Sequence, residues 1–207
     1  MSLSTALETD LDWREAELAS LKILAVTSPA GSVRRQALLR SLLALLYAHY
    51  EGFCKYSWSI FLDYIEDQSI ELNSLQGPLA ALASIKELRR VKNLGSEETL
   101  SFFQTELTEF LHAPAVFSHR PSANSNLWPE LLAEHLKSLC LNPDHVINHK
   151  ILLRSLVARR NAVAHGDSIT ISDVSEYINI ENAVVEVMYN ISFDIIDVIE
   201  SQSYLNS

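Results

Sequence analysis

The stretch from residue 32 to residue 67 constrains the fold more than any other part of the chain. It contains one glycine and no proline, and residues 42–50 read Leu-Leu-Ala-Leu-Leu-Tyr-Ala-His-Tyr. A helix that is apolar almost all round at its centre is usually buried on every side. The sequence therefore predicts one long central helix that forms the spine of a hydrophobic core.

Apolar residues recur at helical spacing along much of the remaining chain. Further helices are predicted over residues 3–26, 79–92, 96–111, 129–139 and 173–201. Turn and capping residues mark several of their ends: Ser28-Pro29-Ala30-Gly31, Gly77-Pro78, Ser96, Asn142-Pro143-Asp144 and Ser172-Asp173. Neither strand alternation nor an internal repeat is evident, so the predicted fold class is all-α.

The length and composition fit one globular domain. At 207 residues the chain is long enough for one well-buried core, and we expect a single domain over residues 1–207 with its core at about 32–201. The formal net charge of -10 argues against a protein that coats nucleic acid through a basic surface. Any contact with nucleic acid would have to be local.

The two cysteines and the acidic N-terminal residues indicate in which cellular compartment the protein is expected. Cys54 and Cys140 form no CxxC or Cys/His pattern, which argues against a disulfide framework or a zinc site, and we expect two buried thiols and no metal or cofactor. The first helix begins with acidic residues rather than the basic start of a secretory signal. No apolar run approaches the roughly 18 residues that cross a bilayer. We expect a cytoplasmic protein without a membrane span.

Positive charge is concentrated in one run of this acidic chain. Between Asp144 and Asp167 there is no carboxylate, but there are several cations and histidines: His145, His149, Lys150, Arg154, Arg159, Arg160 and His165. This run is the best candidate for a local anion site.

The helical geometry of this run places its polar residues on two sides. Arg160 lies near the middle of an apolar face formed by Leu152, Leu153, Leu156, Val157, Val163 and Ala164. A guanidinium there is costly unless it is paired. A second stripe carries Arg154, Asn161 and His165. Gly166 is a helix stop, so His165 is expected in the last turn.

Arginine and histidine together suit phosphodiester cleavage. Arginine offers a planar fork that matches a phosphate, and histidine exchanges protons near neutral pH. RNA supplies its own nucleophile in the 2'-hydroxyl group, so no metal or enzymic nucleophile is required. A simpler alternative is that His165 is a structural cap. The side chains of Arg160 and His165 are about 140° apart in an ideal helix, so one monomer would not easily direct both at one atom. A symmetric dimer that packs two copies of this helix together could bring both pairs to a shared groove.

Glu51 on the central helix has two interpretations. It is spaced for a surface ion pair with Lys55 beside a core histidine, His49. Alternatively, Glu51 pairs with Arg160. Four residues are therefore kept as supporting candidates: Glu51, His49, Arg154 and Arg159.

Two other segments each have two possible roles. Residues 114–126 form an irregular stretch with His119 and Arg120, and loops of this length are often functional or disordered. The basic run within residues 86–92 fits a solvated helix end, or alternatively a phosphate contact.

The segment Arg160-Asn161-Ala162-Val163-Ala164-His165-Gly166 resembles the signature of HEPN domains. In these domains an arginine, a polar residue, three further positions and a histidine form the active motif of many metal-independent RNases. Three other segments strengthen the likeness: Leu-Asp-Trp-Arg at 11–14, Leu-Leu-Tyr-Ala-His-Tyr-Glu-Gly-Phe-Cys-Lys at 45–55, and Ser-Asn-Leu at 125–127. Together they resemble the MAE-type HEPN-like nuclease branch, over about residues 11–199.

The resemblance implies a helical HEPN fold that dimerises with two motifs facing one cleft. It also implies an endoribonuclease that acts on RNA as a toxin or phage-defence effector, often opposed by an antitoxin such as a minimal nucleotidyltransferase. Carried onto this chain, Arg160 and His165 are the catalytic pair and Asn161 the polar motif residue, and we infer that Glu51 orients Arg160. The alternatives are a non-catalytic HEPN module that binds a nucleotide or a partner protein, and a helical scaffold whose Arg160 closes a dimer interface.

Overall fold

The computed structural model of this chain describes residues 2–123, 126–169, 171 and 173–206. Throughout these residues the regular secondary structure is helical and no β-strand forms, which confirms the all-α prediction. The helices are α1 (Leu3–Thr27), α2 (Val33–Asp67), α3 (Gly77–Ala83), α4 (Ile85–Lys92), α5 (Ser96–Ser101), α6 (Leu107–His112), α7 (Pro129–Ser138), α8 (Asp144–Asn148), α9 (Lys150–Ala164) and α10 (Val174–Glu200).

The long central helix predicted from the sequence is α2. Its 35 residues span about 50 Å at 1.5 Å per residue. The Ser32 hydroxyl caps the first turn by accepting from the Arg35 amide at 3.2 Å. Three long helices, α1, α9 and α10, pack around α2. Because they cover it from several sides, most of its large apolar residues are buried.

The flanking helices α1 and α10 are amphipathic and pack against each other as well as against α2. Asp173 caps α10 by accepting from the Glu176 amide at 2.9 Å, while the other predicted capping residue, Ser172, lies outside the described residues. Long as they are, none of the described helices is apolar over enough of its length to cross a membrane.

The region predicted as one helix over residues 79–92 consists of two helices, α3 and α4. The predicted turn at Gly77-Pro78 is wrong, because both residues belong to the first turn of α3, where the missing amide hydrogen of a proline breaks no hydrogen bond. The division falls at Ser84, whose hydroxyl donates to the carbonyl of Ala80 at 2.7 Å. Such local side-chain bonds compete with the helical backbone pattern.

The next predicted helix, over residues 96–111, differs at its start and in its middle. Its N-cap is Gly95 rather than Ser96: the Gly95 amide donates to the Glu98 carboxylate at 2.9 Å, the acidic half of a capping box. A π-helical turn, Phe102–Glu106, separates α5 from α6, and α6 ends at His112.

The helix α9 carries the motif that the sequence analysis singled out. Leu153, Leu156 and Val157 are buried against the core, but Ala164 at its end is exposed rather than part of the apolar face. Gly166 has a φ of +81°, the left-handed conformation that glycine adopts without strain. The predicted helix stop is therefore confirmed.

Candidate active site

The guanidinium of Arg160 lies on the ring of Tyr47, where α9 packs against α2. Its Cζ atom is 3.7 Å from the ring centroid. The Arg160 side chain is 23% exposed, and Tyr47 is buried. A cation over an aromatic face is attracted by the ring quadrupole, more strongly where water is excluded. Tyr47 thus supplies the partner that a guanidinium on an apolar helix face requires.

Glu51 joins this pair one helical turn after Tyr47. Its Oε2 atom is 3.8 Å from Nη2 of Arg160, too long for a hydrogen bond but close enough for electrostatic attraction. The Tyr47 hydroxyl donates to the same oxygen at 2.5 Å, and Lys55 forms an ion pair with the other carboxylate oxygen. The structure therefore contains both of the Glu51 contacts that the sequence analysis set as alternatives.

The protonation states of Glu51 and Tyr47 follow from these contacts. Burial would raise the pKa of Glu51, but hydrogen bonds from Lys55 and Tyr47 and the charge of Arg160 outweigh it, so its pKa is lowered. Burial and the hydrogen bond to Glu51 raise the pKa of Tyr47 to about 12. At neutral pH the group therefore consists of two cations, one carboxylate and a neutral phenol.

The donors of Arg160 have no hydrogen-bond partner among the residues that the structure describes. Its Nε is buried without a hydrogen-bond partner, and across the described residues the guanidinium makes no hydrogen bond. An open cleft of about 410 Å³ adjoins it. The cleft is lined by Ala44, Tyr47, Ala48, Glu51, Gly52 and Arg160. A guanidinium with free in-plane donors beside a cleft of this size is suited to hold an oxyanion.

The irregular segment after α6 reaches the same site. The backbone amide of Leu127 donates to the Tyr47 hydroxyl at 2.9 Å. Arg120 fastens the segment to α2 through Asp63 at 2.6 Å and Glu66 at 3.1 Å. The described part of residues 114–126 is irregular, as predicted, while Ser125 of the quoted segment lies outside the described residues.

Asn161 and His165 occupy the turn that follows Arg160. Asn161 is half-buried, and its backbone carbonyl accepts from the backbone amide of His165 at 2.9 Å. His165 is exposed, and over the part of the chain that the structure describes its imidazole has no hydrogen-bond or ion-pair partner. It does not line the cleft. In a single protomer, the structure therefore does not bring Arg160 and His165 to one cleft.

Arg154 and Arg159 are held by carboxylates away from this cleft. Arg154 is 2.8 Å from Glu130 of α7. Arg159 forms an ion pair with Glu176 of α10. Neither arginine lines the cleft, and both charges are largely compensated.

His49 faces α1 rather than Arg160. Its Nε2 atom is 2.9 Å from the Glu17 carboxylate, and its Nδ1 atom is 3.3 Å from Nη1 of Arg14. Burial and the charge of Arg14 lower the pKa of His49, although Glu17 acts in the opposite direction. Two residues along a helix point to different sides, so His49 and Glu51 belong to different clusters.

Arg14 is the centre of the cluster on the α1 side. The sequence pointed to it only as part of the segment 11–14, without a role of its own. It is buried and pairs with Asp10 at 2.7 Å. Its Nη1 atom packs so closely on Gly52 that a Cβ there would lie 3.0 Å away. The signal in the sequence was its position between Leu11 and Leu18 on the apolar stripe of the first helix.

Replacement of Arg14 by alanine is expected to lower the free energy of unfolding by about 3 kcal/mol, because the partly buried carboxylate of Asp10 would lose its cationic partner and keep the indole N–H of Trp13. Urea denaturation followed by circular dichroism measures the change. The exposed Arg34 on α2 provides the control, with an expected effect of Arg34→Ala below about 0.5 kcal/mol. Equal effects of the two substitutions would show that the Asp10 pair does not stabilise the fold.

An all-α bundle in which a core helix ends in Arg-Asn, three further residues and His defines a HEPN-type domain. The model of the family described as HEPN_MAE_28990-like HEPN matches residues 3–204. The chain belongs to this HEPN family, and the resemblance inferred from its motif is confirmed. No curated protein and no solved structure matches the chain.

Proposed function

We propose that this protein is a metal-independent endoribonuclease in which Arg160 and His165 form the catalytic pair. One observation carries the proposal: the Arg160 guanidinium is fixed on Tyr47 beside an open cleft, and its hydrogen-bond donors have no partner among the described residues. Membership of a HEPN family supports it, because HEPN modules are often RNases.

The chemistry uses the substrate's own nucleophile. The ribose 2'-hydroxyl attacks the adjacent phosphorus, the bond from phosphorus to the 5'-oxygen breaks, and the products are a 2',3'-cyclic phosphate and a 5'-hydroxyl. His165 exchanges the proton that leaves the 2'-hydroxyl or reaches the 5'-oxygen. Arg160 binds the phosphate oxygens and neutralises the charge that develops on them, and Asn161 offers an amide beside them.

We propose that a homodimer completes the site. His165 is exposed and unpartnered over the described residues, and it lies outside the lining of the cleft in its own protomer. Two residues on the α2 side of the cleft are small, the partly exposed Ala44 and the exposed Ala48, and they leave room for a second copy. A twofold axis would then place His165 of each copy at the Arg160 cleft of the other.

In the cell we place this activity in the cytoplasm, as a toxin or phage-defence effector restrained by an antitoxin of the nucleotidyltransferase type. An RNase that needs no cofactor is active as soon as it folds, so a restraining partner fits its chemistry. A non-catalytic HEPN module is the alternative.

The test compares wild-type protein with His165→Ala on an end-labelled single-stranded RNA in the presence of a chelator. We expect cleavage by the wild type, products that end in 2',3'-cyclic phosphate, and a rate at least about 10²-fold lower for His165→Ala. His112→Ala removes an exposed histidine at another helix end and should cleave like the wild type. The same variants expressed in a bacterium should arrest growth only where His165 is intact.

An RNA in which every sugar is 2'-deoxy should remain uncut, because it lacks the nucleophile. Cleavage of that substrate, or equal cleavage by His165→Ala and the wild type, would contradict the proposed reaction. A wild-type protein that leaves all RNA intact would favour the non-catalytic module.

A further inference from the structure

Three contacts that bear on the cleft meet at the side chain of Tyr47. The ring carries the guanidinium of Arg160, the hydroxyl donates to Glu51, and the same hydroxyl accepts from the Leu127 amide. These partners belong to α9, to α2 and to the irregular segment before α7. The side chain of Tyr47 therefore connects three separate parts of the chain.

We infer that Tyr47 is a positioning residue for the proposed reaction: its ring fixes the plane of the Arg160 guanidinium, and its hydroxyl fixes the carboxylate beside it. The role of Tyr47 in the reaction rests on the proposed function. Its role in the binding of an anion at Arg160 rests on the geometry alone.

The ring contact decides which part of Arg160 remains available. All five N–H donors of a guanidinium lie in its plane, while its two faces carry none. Because Tyr47 occupies one face, stacking uses no donor and restricts rotation of the plane. A phosphate can then be bound edge-on by the free donors without a further ordering cost.

The contact of the Tyr47 hydroxyl determines the position of the Glu51 carboxylate beside those donors. Without it, the Glu51 carboxylate would be free to swing onto Arg160, now 3.8 Å away, and form a full hydrogen-bonded ion pair. The bonds from Tyr47 and Lys55 engage both of its oxygens. Tyr47 therefore keeps Glu51 close enough to orient Arg160 and prevents it from taking the place of the phosphate.

The test separates the ring from the hydroxyl with Tyr47→Phe and Tyr47→Leu. The side-chain Nε–H signal of Arg160 is followed by NMR, assigned by its loss in Arg160→Lys, during titration with inorganic phosphate and with a 2'-deoxy oligonucleotide. Tyr47→Leu should weaken both ligands about tenfold, because it removes the stacked face. Tyr47→Phe keeps the face and should weaken them about threefold.

A second measurement tests the hydroxyl directly. A donated hydrogen bond stabilises the ionised carboxylate. In the Arg160→Ala background, where Glu51 has no guanidinium to swing onto, its removal by Tyr47→Phe should raise the pKa of Glu51, read from the side-chain carboxyl signal. Tyr56, a half-buried tyrosine of α2 that does not line the cleft, provides the control. Tyr56→Phe should leave both the pKa of Glu51 and the affinity unchanged, and thermal melting confirms that each variant is folded.

The outcomes separate this inference from the proposed function. Unchanged anion affinity in folded Tyr47→Leu would overturn the role of the ring, even if wild-type protein cuts RNA. A pKa of Glu51 that is the same with and without Tyr47→Phe in the Arg160→Ala background would overturn the role of the hydroxyl. Weakened binding in the Tyr47 variants of a protein that never cuts RNA would support the positioning role and refute the RNase. Where the wild type cuts RNA, Tyr47→Leu should lower kcat/KM about tenfold.

Discussion

Replacement of Arg160 by alanine is expected to reduce RNA cleavage by at least about 10³-fold. Loss of one preorganised donor at a developing charge typically costs about 10²–10³ in rate, and Arg160 supplies a full charge together with its free donors. Single-turnover cleavage at saturating enzyme measures the chemical step. Arg160→Lys keeps the charge but neither the planar fork nor the face that lies on Tyr47, so its rate should still fall about 10²-fold.

The fold should survive these substitutions. Arg160 is partly exposed and makes no hydrogen bond to the described residues, and Glu51 retains Lys55 and Tyr47 as partners. Thermal melting of Arg160→Ala should therefore stay close to that of the wild type. Arg34→Ala, at an exposed arginine near the start of α2, should cleave at the wild-type rate. A folded Arg160→Ala protein that retains a tenth of the activity would exclude Arg160 from the chemistry.

Two inactive variants, Arg160→Ala and His165→Ala, are expected to restore activity when they are paired in one dimer. In such a heterodimer one cleft lacks both groups, while the other combines the intact Arg160 of one copy with the intact His165 of its partner. Its activity should be about half that of the wild-type dimer, because one of two sites works. Both parents should remain at least about 10²-fold below the wild type.

Co-expression with two different affinity tags and successive purification isolates the heterodimer. Light scattering then confirms a dimer, and cleavage of the same labelled RNA gives its rate. The control carries both substitutions in one copy and none in the other. Each of its two clefts then lacks one of the two groups, so this dimer should be inactive. Activity in the control but not in the mixed heterodimer would show that each protomer contains a complete site. A monomer at micromolar concentration would also contradict the composite site.

The sequence predicted those features that depend on local spacing. The apolar run at 42–50 indicated the central helix. Gly166 marked the end of the motif helix because glycine adopts without strain the left-handed conformation that often ends a helix. Asn161 and His165 could be placed on one helix without knowledge of any neighbour. Helix periodicity and glycine stereochemistry act over a few residues, so one sequence contains the whole signal.

The partners of the charged residues depended on how the helices pack. Arg160 was expected to need a partner, and Glu51 was proposed, but Tyr47 was not, because its ring meets Arg160 only after α9 has packed against α2. Arg14 likewise shows its role only where α1 contacts His49 and Gly52. The division at Ser84 was also missed, because its hydroxyl bond to Ala80 is of the same kind that Thr9 and Ser41 form inside unbroken helices, so a serine at this spacing does not mark a helix end.

The hydrogen bond between the Leu127 amide and the Tyr47 hydroxyl has a thermodynamic consequence. The hydroxyl is donor to Glu51 and acceptor from Leu127 at the same time, so the two bonds polarise each other. Proton uptake by Glu51 and release of the segment at Leu127 are therefore linked, and by reciprocity each promotes the other. Acidification is thus coupled to the strength of the hydrogen bond from Leu127 through a single phenolic oxygen.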